Sequence, residues 1–589
     1  MKSENNNPGI SIFLKILLVI SIFSLLIVGF FHRITAMTQD LGRHFLVGKI
    51  IVETGQVPLT NLFSYTYPNF PFINTHWLSE VIFYLVFMQS GFNGLLIFST
   101  LIILGAFSLI FFYSFKKTTI FALAITSLLY LRILFDRTDI RPEIFSFLFL
   151  ALFIVILNRY KEKFSWLILF LIPIELLWVN LHIYFIIGTF VLGLFCIDEI
   201  ITRRKNLFTK RTGILFLITS LSLLATLFNP SGFEGASYPL HVFDNYGYSI
   251  EENQSMFFLE SLGFDKPSLL YFKISVILLF ISLCLSYKKT RPIDWLLALS
   301  FTIIGASAVR NLPLFVFATF LPFAITLPVL LQKLVYVLPP IPKRKILYSP
   351  YVVTGLLLLL FFWQIQLVQA IKPFGFGVEP GAQRAMDFLQ EQQIKGPLFN
   401  NFDIGSYLLY RQYPNERVFI DGRPEAYPTF FFKDTYIPMQ ENPDIFKKIS
   451  DTYNFNTVFF AHTDMTPWAQ TFIQTILENP SWKPVYLDPQ VIILLKVNTQ
   501  NQQVIQEYGM EKNELQMTNL HDEGRNSLLR AINFFRIINN PEKEIPLFQK
   551  ILKADPNDCL ALQELASRYS AHQSSSVNLY LQRYKQHCL

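Results

Sequence analysis

The sequence predicts a polytopic α-helical membrane protein, followed by a small α/β soluble domain and a short all-helical end. Hydrophobic residues make up 52% of the 589 residues and charged residues only 15%, a balance that soluble domains rarely reach. The mean hydropathy is +0.39, and the apolar residues gather in runs long enough to cross a bilayer. From about Phe374 the composition becomes that of a soluble protein. We therefore expect a membrane domain over 1–372, an α/β domain over 373–500 and a helical region over 501–589.

About eleven transmembrane helices are predicted, because a span needs roughly 20 apolar residues. The first run is too long for a signal-peptide core and lacks a small-x-small cleavage site, so we expect a retained helix. The spans are placed near 10–31, 94–115, 118–135, 144–160, 164–179, 183–199, 213–228, 271–287, 293–309, 312–332 and 350–370.

The basic residues of the loops predict the orientation of the chain. Clusters of basic residues fall on alternate loops, on the same side as the N-terminus; they include Lys116–Lys117, Arg203–Arg204–Lys205 and Lys288–Lys289. Cytoplasmic loops carry such an excess of lysine and arginine, so we expect the N-terminus inside and the C-terminal domains outside. The net charge of +7 is then a topology signal, and no nucleic-acid partner is expected.

The four cysteines show no CxxC spacing, so the sequence predicts neither a metal site nor a disulfide framework. Cys196 and Cys284 lie in apolar spans. A Cys559–Cys588 bridge is open to the chain if its C-terminus lies outside the cytoplasm.

The first outer loop, over 32–93, carries the densest chemistry of the sequence. Asp40 follows the first span and could act as a general base that takes a proton from an acceptor hydroxyl. If this stretch were helical, Arg43 and His44 could share one face with Asp40, where an arginine can bind a phosphate. Simple pairing of Arg43 with Asp40, and a packing role for His44, are the alternatives.

His76, Trp77 and Glu80 close the same loop, and Glu80 is the second candidate for the catalytic carboxylate. The first two are candidate substrate-binding residues.

Three further outer loops supply candidate substrate-binding residues. The loop from Asp136 to Glu143 mixes carboxylates and arginines that could orient a charged head group, although a self-contained salt-bridge network is equally open. Arg310 could neutralise a lipid phosphate or extend to the interface. Trp178 could form a sugar platform with its neighbours or belong to the interfacial aromatic belt. The candidates are Arg137, Asp139, Arg141, Asn180, His182 and Arg310.

The soluble part reads as alternating short strands and helices, with strands near 397–400, 417–420, 457–460 and 491–497. The segments around Asp403 and Asp421–Glu425 stand at strand ends, where turn chemistry or a ligand-binding role would each explain them. From about Leu520 the pattern resembles a tetratricopeptide repeat, with room for about two repeats and for a protein partner.

Taken together, these segments resemble the GT-C class of membrane glycosyltransferases, and within it a bacterial group. The class includes the dolichyl-phosphate-mannose protein mannosyltransferases and the bacterial aminoarabinose and lipopolysaccharide-core transferases. The Asp-Glu pair of several members is absent, since Leu41 follows Asp40. The matching segments are DLGRHFLVGKIIVETGQVPLTNLFSYT, HWLSE, RTDIRPEIFSFL, WVNLH, RNLPLF, FNNFDIGSYLLY and VFIDGRPEAY.

The resemblance implies an inverting glycosyltransferase of the bacterial cytoplasmic membrane. Its donor would be a polyprenyl-phosphate sugar, its acceptor a glycan, lipid or protein on the outer side, and Asp40 its base. No cofactor is required by the sequence, and the carboxylates leave a divalent cation open.

Two other functions fit part of the sequence. A transporter or flippase of a polar lipid needs polar residues near the bilayer, but should place them at mid-depth on an internal repeat, which we do not find. A non-catalytic scaffold would use the repeat-like end, but hardly needs so large a membrane body. HExxH, GxSxG, P-loop and Rossmann motifs are absent, which argues against a protease, a lipase or an ATP-driven pump.

Overall fold

The protein is mostly helical, and a computed structural model describes its residues 12–34, 40–204, 209–242, 246–337, 350–378, 381–518, 524–571 and 577–588. In this part of the chain, seven helices are long and apolar enough to cross a membrane. They are Ile12–Phe30, Trp77–Phe115, Glu143–Glu162, Phe185–Thr202, Pro267–Leu285, Val309–Leu334 and Pro350–Ile371. The chain is a multi-pass membrane protein.

Shorter apolar helices complete the membrane part. They are Ile120–Leu134, Trp166–Leu181 and Pro292–Ser307. The remaining predicted span coincides with the 16-residue helix Lys210–Ala225. Each predicted span thus falls on a helix, while the count of eleven membrane crossings stays a prediction. Lys205, which entered the orientation argument, lies outside the described residues.

The first outer loop holds more helix than the sequence suggested. Gly42–Thr54 is a helix that ends at Gly55, whose φ of 70° is the left-handed conformation that favours glycine. The next helix begins at Trp77, well before the predicted start at 94, and bends at Gly91, where φ is 60°. The loop between these helices is therefore only 55–76.

The helix Glu143–Glu162 shows how charge is distributed across the membrane part. Its first turn holds Glu143, and its last turn holds Arg159 and Lys161. A 20-residue helix is about 30 Å long, so Glu143 and these two basic residues lie about one bilayer thickness apart.

The soluble part contains a four-stranded sheet of order β1-β2-β4-β3. The strands are β1 (Leu398–Asn400), β2 (Thr457–Ala461), β3 (Trp482–Leu487) and β4 (Val491–Lys496). β1 pairs parallel with β2, and the other pairs are antiparallel. The strand expected near 417–420 does not join this sheet; instead Val418 pairs with Ser64 of the first outer loop.

Helices surround the sheet and complete the soluble part. They are Gln383–Glu391, Phe402–Gln412, Ile437–Glu441, Pro443–Tyr453, Pro467–Ile476 and Gln502–Tyr508. All residues of β2 are buried, so both sheet faces are covered.

The first outer loop is docked against the soluble part. Arg423 forms two 2.7 Å hydrogen bonds with Asp421 and donates to Asn61 Oδ1 at 3.0 Å. Its guanidinium also lies 4.8 Å from the ring centre of Phe63 and 5.0 Å from that of Phe72. All these groups are buried, so the segment VFIDGRPEAY holds the loop in place.

Four helices close the chain: Arg525–Ile537, Glu544–Ala554, Cys559–Ala571 and Val577–His587. Buried Glu544 accepts from Arg536 at 3.0 Å and from Arg568 at 2.6 Å. A disulfide joins Cys559 to Cys588. That these helices form tetratricopeptide-like repeats stays a prediction.

Candidate functional site

Buried Glu80 is the centre of a polar cluster at the start of its helix. Its Oε1 accepts from Arg43 Nη1 at 3.2 Å and lies 3.0 Å from His44 Nδ1. Its Oε2 accepts from Asn74 Nδ2 at 2.6 Å. The carboxyl side chain is 0% exposed. Because donors already surround both oxygens, this carboxylate positions its neighbours and does not face an incoming molecule in this conformation.

Close helix packing sets this geometry. The helices Gly42–Thr54 and Trp77–Phe115 lie so near each other that a Cβ on Gly48 would be 2.2 Å from the carbonyl oxygen of Glu80. Arg43, His44 and Phe45, about one helical turn before Gly48, are buried. The glycine is required for the approach, and the approach brings Arg43 and His44 onto Glu80.

Neutral imidazoles flank the cluster. Burial, followed by the charge of Arg43, lowers the pKa of His44 well below its usual value. Burial and then Arg43 lower the pKa of His76 to about 3. Both rings are therefore uncharged at neutral pH, and each has one unprotonated nitrogen that can accept a hydrogen bond or bind a metal ion.

Asp40 bridges this cluster to a second one. Its Oδ1 lies 3.6 Å from Arg43 Nη2, and its Oδ2 lies 3.6 Å from Arg141 Nη1. The side chain is 22% exposed, in contrast to the enclosed Glu80. Asp40 is thus held between two arginines and is still partly open to solvent.

The second cluster gathers three arginines around one carboxylate, that of Glu252; Arg137 and Arg141 come from one loop, and Arg310 comes from the turn Val309–Asn311. Arg141 Nη1 donates to Glu252 Oε2 at 2.9 Å, and Arg137 Nη1 contacts the same oxygen. Arg310 Nη1 lies 3.8 Å from Glu252 Oε1. The sequence predicted all three arginines as binding residues, and the structure brings them together.

Neighbouring groups fix the orientation of each arginine. Arg137 makes a second, two-pronged contact of 2.8 Å and 2.8 Å with Glu143. Arg310 donates to Tyr184 Oη at 3.1 Å and to Asn253 Oδ1 at 2.9 Å. Burial alone would lower the pKa of Arg137, but Glu143 and Glu252 outweigh it and hold that pKa well above its usual value. The arginines are preorganised cations.

Glu252 itself is held as an anion. Burial alone would raise its pKa, but Arg141, Arg137 and Arg310 hold the pKa well below its usual value.

The remaining predicted residues lie around these clusters or apart from them. Trp77 Nε1 donates to Asn180 Oδ1 at 2.8 Å, and His182 Nδ1 lies 2.9 Å from Ser146 Oγ. The ring of His182 lies 4.6 Å from that of Tyr184, whose hydroxyl contacts Arg310, so His182 borders the arginine cluster. Asp139 interacts electrostatically with His32 instead, near the end of the first helix.

Trp178 lies in the protein core, so the sugar-platform interpretation does not hold for it in this conformation. Its side chain is 0% exposed, and its Nε1 donates to Ser146 Oγ at 2.8 Å. The ring packs against Phe149 and Phe153.

Sequence reasoning did not single out Glu252, Asn74 or Tyr184. The adjacent Glu251 and Glu252 were visible as an acidic pair in an outer loop, but nothing local indicated which arginines they would meet. Asn74 and Tyr184 carried no signal, because their roles arise only from long-range contacts.

Three residues of the first cluster could hold a metal ion. One ligand atom from each of His44, His76 and Glu80 can be chosen so that all three atoms lie within 4.8 Å of one another. Two neutral imidazoles and a carboxylate are a donor set that zinc takes in proteins. His76 Nε2 is buried without a hydrogen-bond partner among the described residues, which fits a ligand role.

Comparison with known proteins places the fold. No protein-family model and no curated protein matches the chain. Among solved structures, the archaeal oligosaccharyltransferase AglB from Archaeoglobus fulgidus, in complex with an inhibitory peptide and a dolichol-phosphate, is 12% identical with a TM-score of 0.53. The match covers 80% of this chain and 72% of AglB.

ArnT from Cupriavidus metallidurans in the apo state is also 12% identical, with a TM-score of 0.52, covering 81% of this chain and 97% of ArnT. The chain has the GT-C fold. A further structure of the Archaeoglobus fulgidus oligosaccharyltransferase, in complex with Zn and sulfate, matches with 11% identity and a TM-score of 0.51 over 82% of this chain and 73% of that one. The fold therefore agrees with the resemblance found in the sequence.

Proposed function

We propose that the protein is a membrane glycosyltransferase that moves a sugar from a polyprenyl-phosphate-linked donor to an acceptor on the extracytoplasmic side, with inversion. The observation that carries the proposal is the position of Asp40. It lies 3.6 Å from Arg43 and 3.6 Å from Arg141, at the solvent-reached edge of a cluster of preorganised arginines.

The general base of the proposed reaction is Asp40. A partly exposed carboxylate can accept the proton of an acceptor hydroxyl as the oxygen attacks the sugar carbon. Glu80 is enclosed by its donors and supports this role by holding Arg43 in place. Its part in the proposed mechanism is therefore positioning.

The leaving phosphate of the donor would be bound by Arg137, Arg141 and Arg310. Attack on the sugar carbon breaks its bond to the phosphate oxygen, so negative charge grows on the polyprenyl phosphate. Fixed guanidinium groups stabilise such charge without reorganising during the reaction. The dolichol-phosphate named with AglB makes the same class of lipid a reasonable donor carrier here.

His76, Trp77, Asn180 and His182 are proposed to contact the sugar or the acceptor from the rim of the clusters. Asp139 is further from them, near His32, and is the weakest of the proposed binding residues.

A divalent cation, if bound, would be held by His44, His76 and Glu80, and would supply positive charge beside Asp40. Arg43 already contacts Glu80 at 3.2 Å and would have to share that carboxylate with the ion. Metal analysis of the purified protein, compared with His44→Ala, measures whether the site is loaded.

The orientation proposed is that of the basic-loop argument, with the N-terminus in the cytoplasm of a bacterium and the site outside. The acceptor would be a glycan, lipid or protein reached from the outer side. The peptide bound to AglB belongs to that protein's activity, and the acceptor of this chain is to be found by experiment.

The first test measures sugar transfer in membranes that carry Asp40→Asn or Glu80→Gln, supplied with radiolabelled polyprenyl-phosphate sugars. We expect Asp40→Asn to lower kcat at least about 1,000-fold, since a base and its charge are both lost. Glu80→Gln should lower kcat/KM about 10- to 100-fold, because Arg43 loses its anchor. Profiling of lipid-linked sugars in a deletion strain identifies the donor.

Unchanged transfer by Asp40→Asn would refute its role as base. A strain in which lipid-linked sugars redistribute across the membrane without any glycosylated product would favour a flippase. The position of the charged cluster at one end of the membrane helices, rather than at mid-depth, supports the transferase.

A further inference from the structure

Glu252 occupies the place that an anionic ligand of the arginine cluster would take. Its two carboxylate oxygens receive Arg137, Arg141 and Arg310, the same three side chains that are proposed to bind the donor phosphate. A carboxylate and a phosphate offer arginine the same kind of paired oxygen acceptor. The two anions therefore compete for one set of donors.

The charges of the cluster are already balanced. Three arginines (137, 141 and 310) meet three carboxylates, those of Asp40, Glu143 and Glu252. Adding a phosphate while all three carboxylates stay would leave an excess of buried negative charge, which is costly. Glu143 starts a membrane helix and Asp40 is the proposed base, so Glu252 is the carboxylate that can leave.

The segment that carries Glu252 is attached at both ends but has space beside it. Gln254 O accepts from Val309 N at 3.1 Å, next to Arg310. Tyr248 is buried against the soluble part, with its ring 4.6 Å from that of Phe402. A cavity of about 320 Å³ is lined by residues 246–250 together with Asn253 and Gln254. The residues between these two attachments, 249–253, lie beside this space and can move while both attachments remain.

We propose that Glu252 is a built-in competitor for the lipid phosphate, and that binding of a polyprenyl phosphate displaces it together with the segment 249–253. This inference rests on the proposed function, because it assumes that the arginines bind a lipid phosphate. A ligand must compensate for the contacts that Glu252 loses with the arginines. Inorganic phosphate alone therefore binds poorly, whereas the lipid chain of a polyprenyl phosphate supplies the additional binding free energy.

Titration of the full-length protein in detergent with farnesyl phosphate tests the inference, and inorganic phosphate serves as the second ligand. Glu252→Gln removes the competing charge and keeps the shape of the side chain. We expect it to bind farnesyl phosphate at least ten-fold more tightly than the unchanged protein, whereas inorganic phosphate should bind the unchanged protein far more weakly than farnesyl phosphate does. Glu251→Gln is the matched control, since Glu251 pairs with Lys266 outside the cluster, and its affinity should not change.

The outcomes separate the two proposals. Equal or weaker binding of farnesyl phosphate by Glu252→Gln, while the unchanged protein binds it, overturns the competitor role and leaves the proposed function standing. Absence of binding by every variant overturns both. Equal affinity for inorganic and farnesyl phosphate would refute the part assigned to the lipid chain.

A second measurement follows the segment itself and guards against misfolding of Glu252→Gln. Ser249 is exposed in the segment, so Ser249→Cys in a Cys284→Ser background accepts a fluorescent label. Farnesyl phosphate should change the label's emission, and the change should saturate at the concentration that saturates binding. A label that does not respond while the lipid binds would contradict displacement of the segment.

Discussion

At the scale of single residues, the site separates two carboxylates that the sequence left as rivals. Asp40 is 22% exposed and contacts two arginines at 3.6 Å, while Glu80 is fully enclosed and has several donors within 3.2 Å. A proton acceptor has to reach its substrate, so exposure decides between them. The rivalry could not be settled from spacing, because both residues lie beside a membrane span.

A buried histidine in the soluble part predicts acid sensitivity. His462 is 2% exposed, and its Nε2 lies 2.8 Å from the carbonyl oxygen of Asp488. Burial lowers its pKa to about 4, opposed by this backbone contact and helped by the positive charge of Arg530. The unfolded chain takes up the proton first, near pH 6.5, so stability is present above that pH and falls as the pH drops toward 4.

We expect the free energy of unfolding of the soluble part to fall by about 2 kcal/mol between pH 7 and pH 5 through protonation of this residue alone. His462→Gln should flatten the fall of Tm over that range, as followed by circular dichroism. His587→Gln, at an exposed position, is the control and should keep the slope of the unchanged protein. A slope that is the same in all three proteins would show that His462 does not titrate in this way.

Residues that depend on long-range contacts were beyond the sequence. Arg137, Arg141 and Arg310 stood out because arginine beside a membrane span is unusual. Glu252 did not, because a carboxylate in an exposed loop is ordinary until its three partners are known. The sequence showed the segment DGRPE, but only the structure shows that its Arg423 donates a hydrogen bond to Asn61 of the first outer loop.

At the scale of elements, the apolar runs predicted the membrane helices because length and hydropathy are local properties. The helix Gly42–Thr54 was not predicted, since its apolar residues are buried against other protein and not against lipid. The sequence did not predict β3, and it predicted a strand near 417–420 that does not join the sheet. Both errors have the same cause, because tertiary contacts decide which strands pair.

The close contact of the helices Gly42–Thr54 and Trp77–Phe115 leads to a prediction for Gly48→Ala. The added Cβ would meet the Glu80 carbonyl oxygen at 2.2 Å, which forces the helices apart. We expect the Arg43–Glu80 contact to weaken and kcat/KM to fall at least about ten-fold, measured in the same transfer assay, since small displacements of positioned groups are costly.

Gly105→Ala is the matched control, because no atom lies within 4 Å of a Cβ built there. It should retain activity, and its helix should gain slightly in stability. Full activity in Gly48→Ala would mean that the helices tolerate separation and that the geometry of the Glu80 cluster is not needed for turnover.

At the scale of the whole molecule, the membrane part and the soluble part form one working unit. The first outer loop, which carries Asp40 and Glu80, is pinned to the soluble part by Arg423 and by the pairing of Ser64 with Val418. The segment 246–254 joins the same two parts through Tyr248 and Glu252. The fold class was predictable from composition, while this coupling was not, because it depends on residues several hundred positions apart.

Removal of the buried cation that joins these parts should destabilise the assembly. Arg423→Gln leaves the Asp421 carboxylate buried without its ion-pair partner, which costs about 3–5 kcal/mol. We expect the first outer loop to become sensitive to limited proteolysis and the Tm to fall by several degrees. Arg417→Gln, at an exposed position, should behave like the unchanged protein, and equal protease resistance of both variants would contradict the pinning role.

The disulfide between Cys559 and Cys588 ties the last two helices into a closed loop at the very end of the chain. Thiols of the cytoplasm are kept reduced, so such a bond forms only where the surroundings are oxidising. In the proposed orientation, closure of this loop would therefore depend on export, and a cell that lacks thiol-oxidising enzymes would make a protein whose helices Cys559–Ala571 and Val577–His587 are not crosslinked.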